Sequence, residues 1–512
     1  MTVAPEFQNT LDRAWRAQDY ALARELIEDA LLEAPGDAYL RVCLITALAH
    51  CSRFQSARDE TSRLFARITR NERLQWSAEL AAMWNDLGRH DLALPLAQRA
   101  MHSPHASARM VEIIADSLEH LRQLDEAWDV SCRGLRAYPG HPGISLVNAR
   151  ILRQRQQFDE AAEMLERLIA SPRVPAAAKV GPGYELGHVH DAQGLYDQAF
   201  RAFSVAKQVQ AGQARERLSM WAKHLDLLEN RHNLPTRADF VRWHDEARFQ
   251  AVPGQRLAFL TGCPRSGTTL LERVLDCHDG VAATSETLTM KTEVWVPLSY
   301  ELSTRSTAAI GVLEKLRALD SGQVRAARGK YWKLVPDALE ADVDGRMVVD
   351  KNPSLFSSLP TIARLFSDAP ILVALRDPRA IAWSCFTQHL SVNDESVAFL
   401  DLGTTCRHIA ARLENWDTLR ARLASPWREV RYEKLVGDLE GESRGILEFL
   451  GLPWSERVLR YHDQESLVRS PSYAQASRPI YTDAMGKWRN YEEHFDRHVP
   501  VLGPVMRELG YD

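Results

Sequence analysis

No stretch of about 18 consecutive apolar residues occurs in the 512-residue chain, so hydropathy offers no membrane-spanning helix. The opening Met1-Thr-Val-Ala-Pro-Glu-Phe-Gln lacks the basic-then-apolar order of a secretory signal, and a soluble, cytoplasmic protein is expected. Charge of one sign is also missing. Lys and Arg number 63 against 68 Asp and Glu, a net charge of −5, which argues against nucleic acid or an anionic membrane surface as a general partner. Cysteine is scarce and unpatterned: Cys43, Cys51, Cys132, Cys263, Cys277, Cys385 and Cys406 are odd in number and form no Cys-x-x-Cys, so reduced thiols are expected. The 17 histidines show no ligand spacing, and no metal site is expected. The length calls for at least two domains.

Before about residue 210 there are no apolar runs of strand type, but there is a period. It reads Tyr20-Ala-Leu-Ala23, Phe54-Gln-Ser-Ala57, His90-Asp-Leu-Ala93, Leu124-Asp-Glu-Ala127, Phe158-Asp-Glu-Ala161 and Tyr196-Asp-Gln-Ala199. The alanines recur at intervals of 34, 36, 34, 34 and 38 residues, and Pro35, Pro104, Pro139 and Pro172 close several of the units. A 34-residue period with a small residue where two helices cross is the tetratricopeptide (TPR) pattern. Residues 1–210 are therefore expected to form about six helix pairs that bury their apolar faces by stacking, and to fold alone. Such arrays bind proteins or peptides or self-associate, so a partner of that kind is expected here. Residues 211–250 read as a helical linker or cap.

The second half opens on Leu257-Ala-Phe-Leu-Thr-Gly262-Cys-Pro-Arg265-Ser266-Gly267-Thr268-Thr269. An apolar run enters a Gly-bounded loop and a helical pattern follows at once: strand, anion cradle, helix N-terminus. The spacing is that of a phosphate loop, yet the Lys that reaches the terminal phosphates of a nucleoside triphosphate is replaced by Thr268. The cation has moved into the loop as Arg265. Cys263 lies inside the loop; a positive field there favours a thiolate, but the expected need at this position is only a small side chain. A second apolar run, Ala369–Leu375, ends in Arg376-Asp-Pro-Arg379, with Ser384 on the helical stretch beyond. Guanidinium and hydroxyl groups at such a turn suit a second phosphate.

The paired loops resemble those of sulfotransferases, with the closest match among protein-tyrosine sulfotransferases, and the resemblance runs from about Arg256 to Tyr491. It implies a P-loop-like α/β domain with a central parallel sheet over residues 251–512, and 3′-phosphoadenylyl sulfate (PAPS) as sulfonate donor. By that resemblance Arg265, Ser266, Gly267, Thr268 and Thr269 would hold the 5′-phosphosulfate, and Arg376 and Ser384 the 3′-phosphate. Tyr432, Gln475, Arg478 and Lys487 would contact the nucleotide. Glu286 takes the position of the catalytic base, Lys351 that of a lysine at the transferring group, and Ser472 that of a serine beside it. No metal is implied. The sequence departs from the tyrosine-directed pattern at Ala283-Thr284-Ser285, where a Gly-rich lead is usual, and at Gln388, where an Arg is usual, with His389 next.

The expected whole is an α-helical solenoid followed by an α/β domain. It would pass a sulfonate to a hydroxyl acceptor by in-line displacement, and the acceptor would be a peptide tyrosine, a glycan or a small molecule. Two other readings stay open: an atypical P-loop kinase, and a TPR scaffold whose second domain binds a nucleotide without catalysis.

Overall fold

The computed structural model describes residues 5–102, 107–229, 234–247, 254–299, 311–463 and 485–511. Twelve helices in antiparallel pairs make up its first part. They are α1 (Pro5–Arg16) with α2 (Tyr20–Glu33), α3 (Ala38–His50) with α4 (Phe54–Arg67), α5 (Arg70–Asp86) with α6 (His90–Ala100), α7 (Ala108–His120) with α8 (Leu124–Ala137), α9 (Pro142–Gln154) with α10 (Phe158–Ala170), and α11 (Val180–Ala192) with α12 (Tyr196–Gln213). Two features of the sequence dictate this layout. The periodic alanines Ala23, Ala57, Ala93, Ala127, Ala161 and Ala199 are all 0% exposed, which lets neighbouring helices approach closely. The turn inside each pair places one residue in the left-handed region: Gln18, Ser52, Gly88, Arg122, Gln156 and Gly194. A left-handed residue after a helix satisfies its last carbonyls and reverses the chain.

Helices Arg215–Glu229 and Arg237–Ala247 then lead to the sheet. Its strands are β1 (Arg256–Gly262), β2 (Val281–Ala283), β3 (Met347–Lys351), β4 (Ile371–Leu375) and β5 (Trp427–Arg431). All the pairings are parallel and the order is β2-β3-β1-β4-β5. Strands buried on both faces read as unbroken apolar runs, which is why Leu257–Leu260 and Ile371–Leu375 carry no alternation. β3 and β4 flank β1 on opposite sides, and ligands of open α/β sheets bind outside the carboxyl ends at such a switch. Register does the rest: Leu260 pairs with Lys351, Gly262 with Ala374, and Leu375 with Arg431. The ends of four strands thereby deliver Gly262, Lys351, Arg376 and Tyr432 to one edge.

The helical array is fastened to the α/β part at two places. Near its start, Arg24 of α2 meets the buried Glu293 at 3.3 Å, and Leu288 N–H donates to Ser52 Oγ at 2.9 Å. There Arg53 and Arg58 of the array also reach Asp337 of the helix Ser321–Leu339 and its C-cap Glu340 at 3.1 and 2.8 Å. At its end, Gln210 Nε2 donates to the Leu390 carbonyl at 2.8 Å. Tyr491 OH donates to Asp191 at 2.6 Å. One hydrophobic core contains both Tyr184, Phe203 and Ala206 of the last pair and Trp383, Phe386 and Tyr491 of the α/β part. Among the described residues no helix is long and apolar enough to cross a membrane.

Candidate active site

The loop between β1 and the helix Thr268–Asp276 is shaped by backbone conformations that few residues tolerate. Gly267 has φ +99°, and a Cβ there would lie 2.6 Å from Tyr432 Cδ2. Gly262 is as confined, since a Cβ would meet the Ala374 carbonyl oxygen at 2.4 Å. Arg265 itself is left-handed at φ +69°. Among the described residues the buried Ser266 Oγ has no hydrogen-bond partner, a rare state for a hydroxyl unless a ligand satisfies it. Thr268 and Thr269 start the helix and are nearly buried. An orphaned hydroxyl, a glycine cradle and a helix N-terminus together fit a phosphate or sulfate group.

The two loops that the sequence pairs are in contact. Arg265 Nε donates to Ser384 Oγ at 2.9 Å, and Arg376 Nη1 donates to the Arg265 carbonyl at 3.1 Å. The Arg376 guanidinium lies over the Tyr432 ring at 4.5 Å, within the range of a cation–π contact. Arg379 is turned away: it bonds Asp377 at 3.0 and 2.9 Å and the Tyr511 carbonyl at 3.2 Å. Ser472, Gln475 and Arg478 lie outside the described residues. Lys487 is described, and its ammonium is held by Asp191 of α11 rather than by the loop.

Charge gathers at the end of β3. Lys351 Nζ lies 2.7 Å from Glu286 Oε1 and 2.8 Å from Glu272 Oε2. The lysine side chain is 1% exposed and Glu286 is 34% exposed, so the pair spans from the interior to the cleft. Burial pulls the Lys351 pKa down, but the two carboxylates outweigh it and hold the ammonium above its ordinary value. Burial pushes the Glu272 carboxyl up against the pull of Lys351. Ser285 and Glu286 are consecutive left-handed residues at φ +48° and +63°, a strain of about 1–3 kcal/mol each that concentrates at functional sites. The Glu286 N–H, donating to the Lys351 carbonyl at 2.8 Å, helps to hold that conformation. Beneath them burial raises Asp350 to about 6. It accepts from Tyr331 OH at 2.8 Å and Thr284 Oγ1 at 3.2 Å.

Over residues 258–456 the chain matches the model of a sulfotransferase family. The similarity to that family lies in the C-terminal half of the chain. Protein-tyrosine sulfotransferase 2 of Gallus gallus is 28% identical over 285 residues, covering 50% of this chain and 69% of that protein. Protein-tyrosine sulfotransferase 1 of Danio rerio is 25% identical over 267 residues, 50% of this chain and 72% of that one. An uncharacterized protein of Aquifex aeolicus is 24% identical over 427 residues, 81% of this chain, which spans about half (53%) of its length. Among solved structures, the sulfotransferase domain of the Synechococcus PCC 7002 olefin synthase aligns at 22% identity with a TM-score of 0.32. It covers 47% of this chain and 90% of its own.

The structure adds to the sequence reading at three places. Cys263 is fully buried and burial pushes its thiol up to about 12, so it packs as a small side chain. Glu272 was missed, although a carboxylate among the apolar residues one turn past the phosphate loop was a usable signal. Histidine spacing along the chain also hid a group in space, for His90, Asp116 and His120 bring ligand atoms within 4.8 Å of one another. Arg150 already bonds Asp116 there and supplies the positive charge.

Proposed function

We propose that this chain transfers a sulfonate from PAPS to a hydroxyl acceptor, with Glu286 as the general base. The observation that carries the reading is the Glu286–Lys351 pair at 2.7 Å, presented beside an anion cradle. The donor supplies an activated sulfonate on a phosphate leaving group. Arg265, Ser266 and the N–H groups at Gly267, Thr268 and Thr269 would take its 5′ end, and Arg376 and Ser384 the 3′-phosphate. Thr268 in the place of the phosphate-loop lysine disfavours a kinase. Glu286 would accept the acceptor proton while Lys351 steadies charge on the transferring oxygens, so catalysis is positioning and electrostatics. Protein tyrosine is the acceptor that the vertebrate relatives' names suggest. The helix pairs are read as TPR units, and Ser472, Gln475, Arg478 and Lys487 as further donor contacts.

Calorimetry should show adenosine 3′,5′-bisphosphate binding in preference to ATP. Arg376→Ala should weaken the bisphosphate by about 1.5–3 kcal/mol, the worth of a charge-assisted hydrogen bond, and spare the 3′-dephospho analogue. Equal losses for both would remove the 3′-phosphate assignment. With labelled donor, Glu286→Gln should lower transfer to an aliphatic hydroxyl by about 10²–10⁴-fold at unchanged nucleotide affinity. Wild-type turnover by that variant, with chemistry rate-limiting, would place the base elsewhere.

A further inference from the structure

Glu272 is a carboxylate that the reaction as described leaves unused. It stands four residues after Thr268 in the phosphate-loop helix, its side chain 7% exposed, beside the buried Leu271, Val274 and Leu275. A buried charge is costly unless it is paired and hydrogen-bonded, and this one is saturated. Oε2 lies 2.8 Å from Lys351 Nζ, and Oε1 accepts from Ser285 Oγ at 2.6 Å. One carboxylate thus grips both the lysine and the strained step that leads into Glu286.

We propose that Glu272 is a positioning residue that holds Lys351 and the Ser285–Glu286 turn in place and, by sharing the lysine, keeps Glu286 basic enough to take a proton. The inference rests on the reading of Glu286 as the base. An ammonium 2.7 Å away attracts the Glu286 carboxylate. A second carboxylate on the same ammonium offsets that pull, leaving the trio at a net charge of about −1. The other groups facing Glu272 do not replace it. Asp350 adds like charge from β3, and the Arg273 guanidinium donates to the Tyr461 carbonyl at 3.2 Å.

The test compares Glu272→Gln and Glu272→Asp in the full chain. For Glu272→Gln, the acid limb of the kcat/KM profile should move down by about one pH unit, and kcat at neutral pH should fall. Affinity for adenosine 3′,5′-bisphosphate should be retained. Glu272→Asp keeps the charge but cannot span lysine and serine together, so its acid limb should stay in place while kcat falls about tenfold. Carbon-13 NMR of the Glu286 carboxyl, assigned by its loss in Glu286→Gln, should show the same downward shift in Glu272→Gln without any turnover. A Glu286 titration unmoved in a folded, nucleotide-binding Glu272→Gln protein overturns the proposal. So does a Glu272→Asp kcat within about twofold of wild type, which decides the matter if the glutamine variant does not fold. If the wild type sulfonates no hydroxyl acceptor, the proposed function fails, and the titration still settles whether Glu272 governs Glu286.

Discussion

Lys351 and Asp350 are neighbours on one strand, yet their surroundings drive them in opposite directions. Lys351 finds two carboxylates and stays charged. Among the described residues Asp350 finds two hydroxyls and no cation, and burial lifts it to about 6. A raised carboxyl adds stability when protonated, fully so below its unfolded value near 3.8, and loses it as pH rises through about 6. Asp350→Asn should therefore flatten this contribution: the melting temperature of wild type relative to variant should rise as pH falls from 7 to 4. A constant difference over that range would mean that Asp350 titrates normally. None of this was legible in Val348-Val-Asp-Lys351, where both charges look like the end of a strand reaching solvent. The glycines of the phosphate loop were legible because Gly262 and Gly267 answer to local backbone geometry. Glu272 was not, because its meaning depends on β3 lying beside β1.

At the scale of elements, periodicity carried most of the helical half. The fully buried alanines and the left-handed turn residues recur with the same interval, so one pattern encodes both helix crossing and chain reversal. The sequence did not reveal what the last pair packs against. Phe203 on α12 is 1% exposed and meets Trp383 edge to face at 6.0 Å and His188 at 5.0 Å. Gly187 leaves it room, since a Cβ there would come within 2.5 Å of the ring. Burial holds Lys207 on the same helix down at about 7. Its Nζ donates to the Gln388 carbonyl at 3.3 Å, while the next residue, His389, stacks on Tyr184 at 5.0 Å. Array residues thus occupy the surroundings of Gln388 and His389. Phe203→Ala should cost about 3–5 kcal/mol and lower the thermal transition seen by helical content and by nucleotide binding together. A loss confined to the helical signal would show that α12 is only leaning on its neighbour.

For the whole molecule, the two fastenings differ in kind. The first is ionic and polar, between Arg24, Ser52, Arg53 and Arg58 and the segment that follows Glu286 or the helix Ser321–Leu339. The second is a shared apolar core that runs across residue 210. Open solenoids gain and lose units freely, because nothing measures their length. This one is a bridge with both abutments on the same body, and its span is set by the distance between them. Inserting or deleting a single helix pair would advance the far end by one unit and turn it about the stack, so that Ser52 and Asp191 could no longer both be seated. The number of units is thereby a dimension of the molecule.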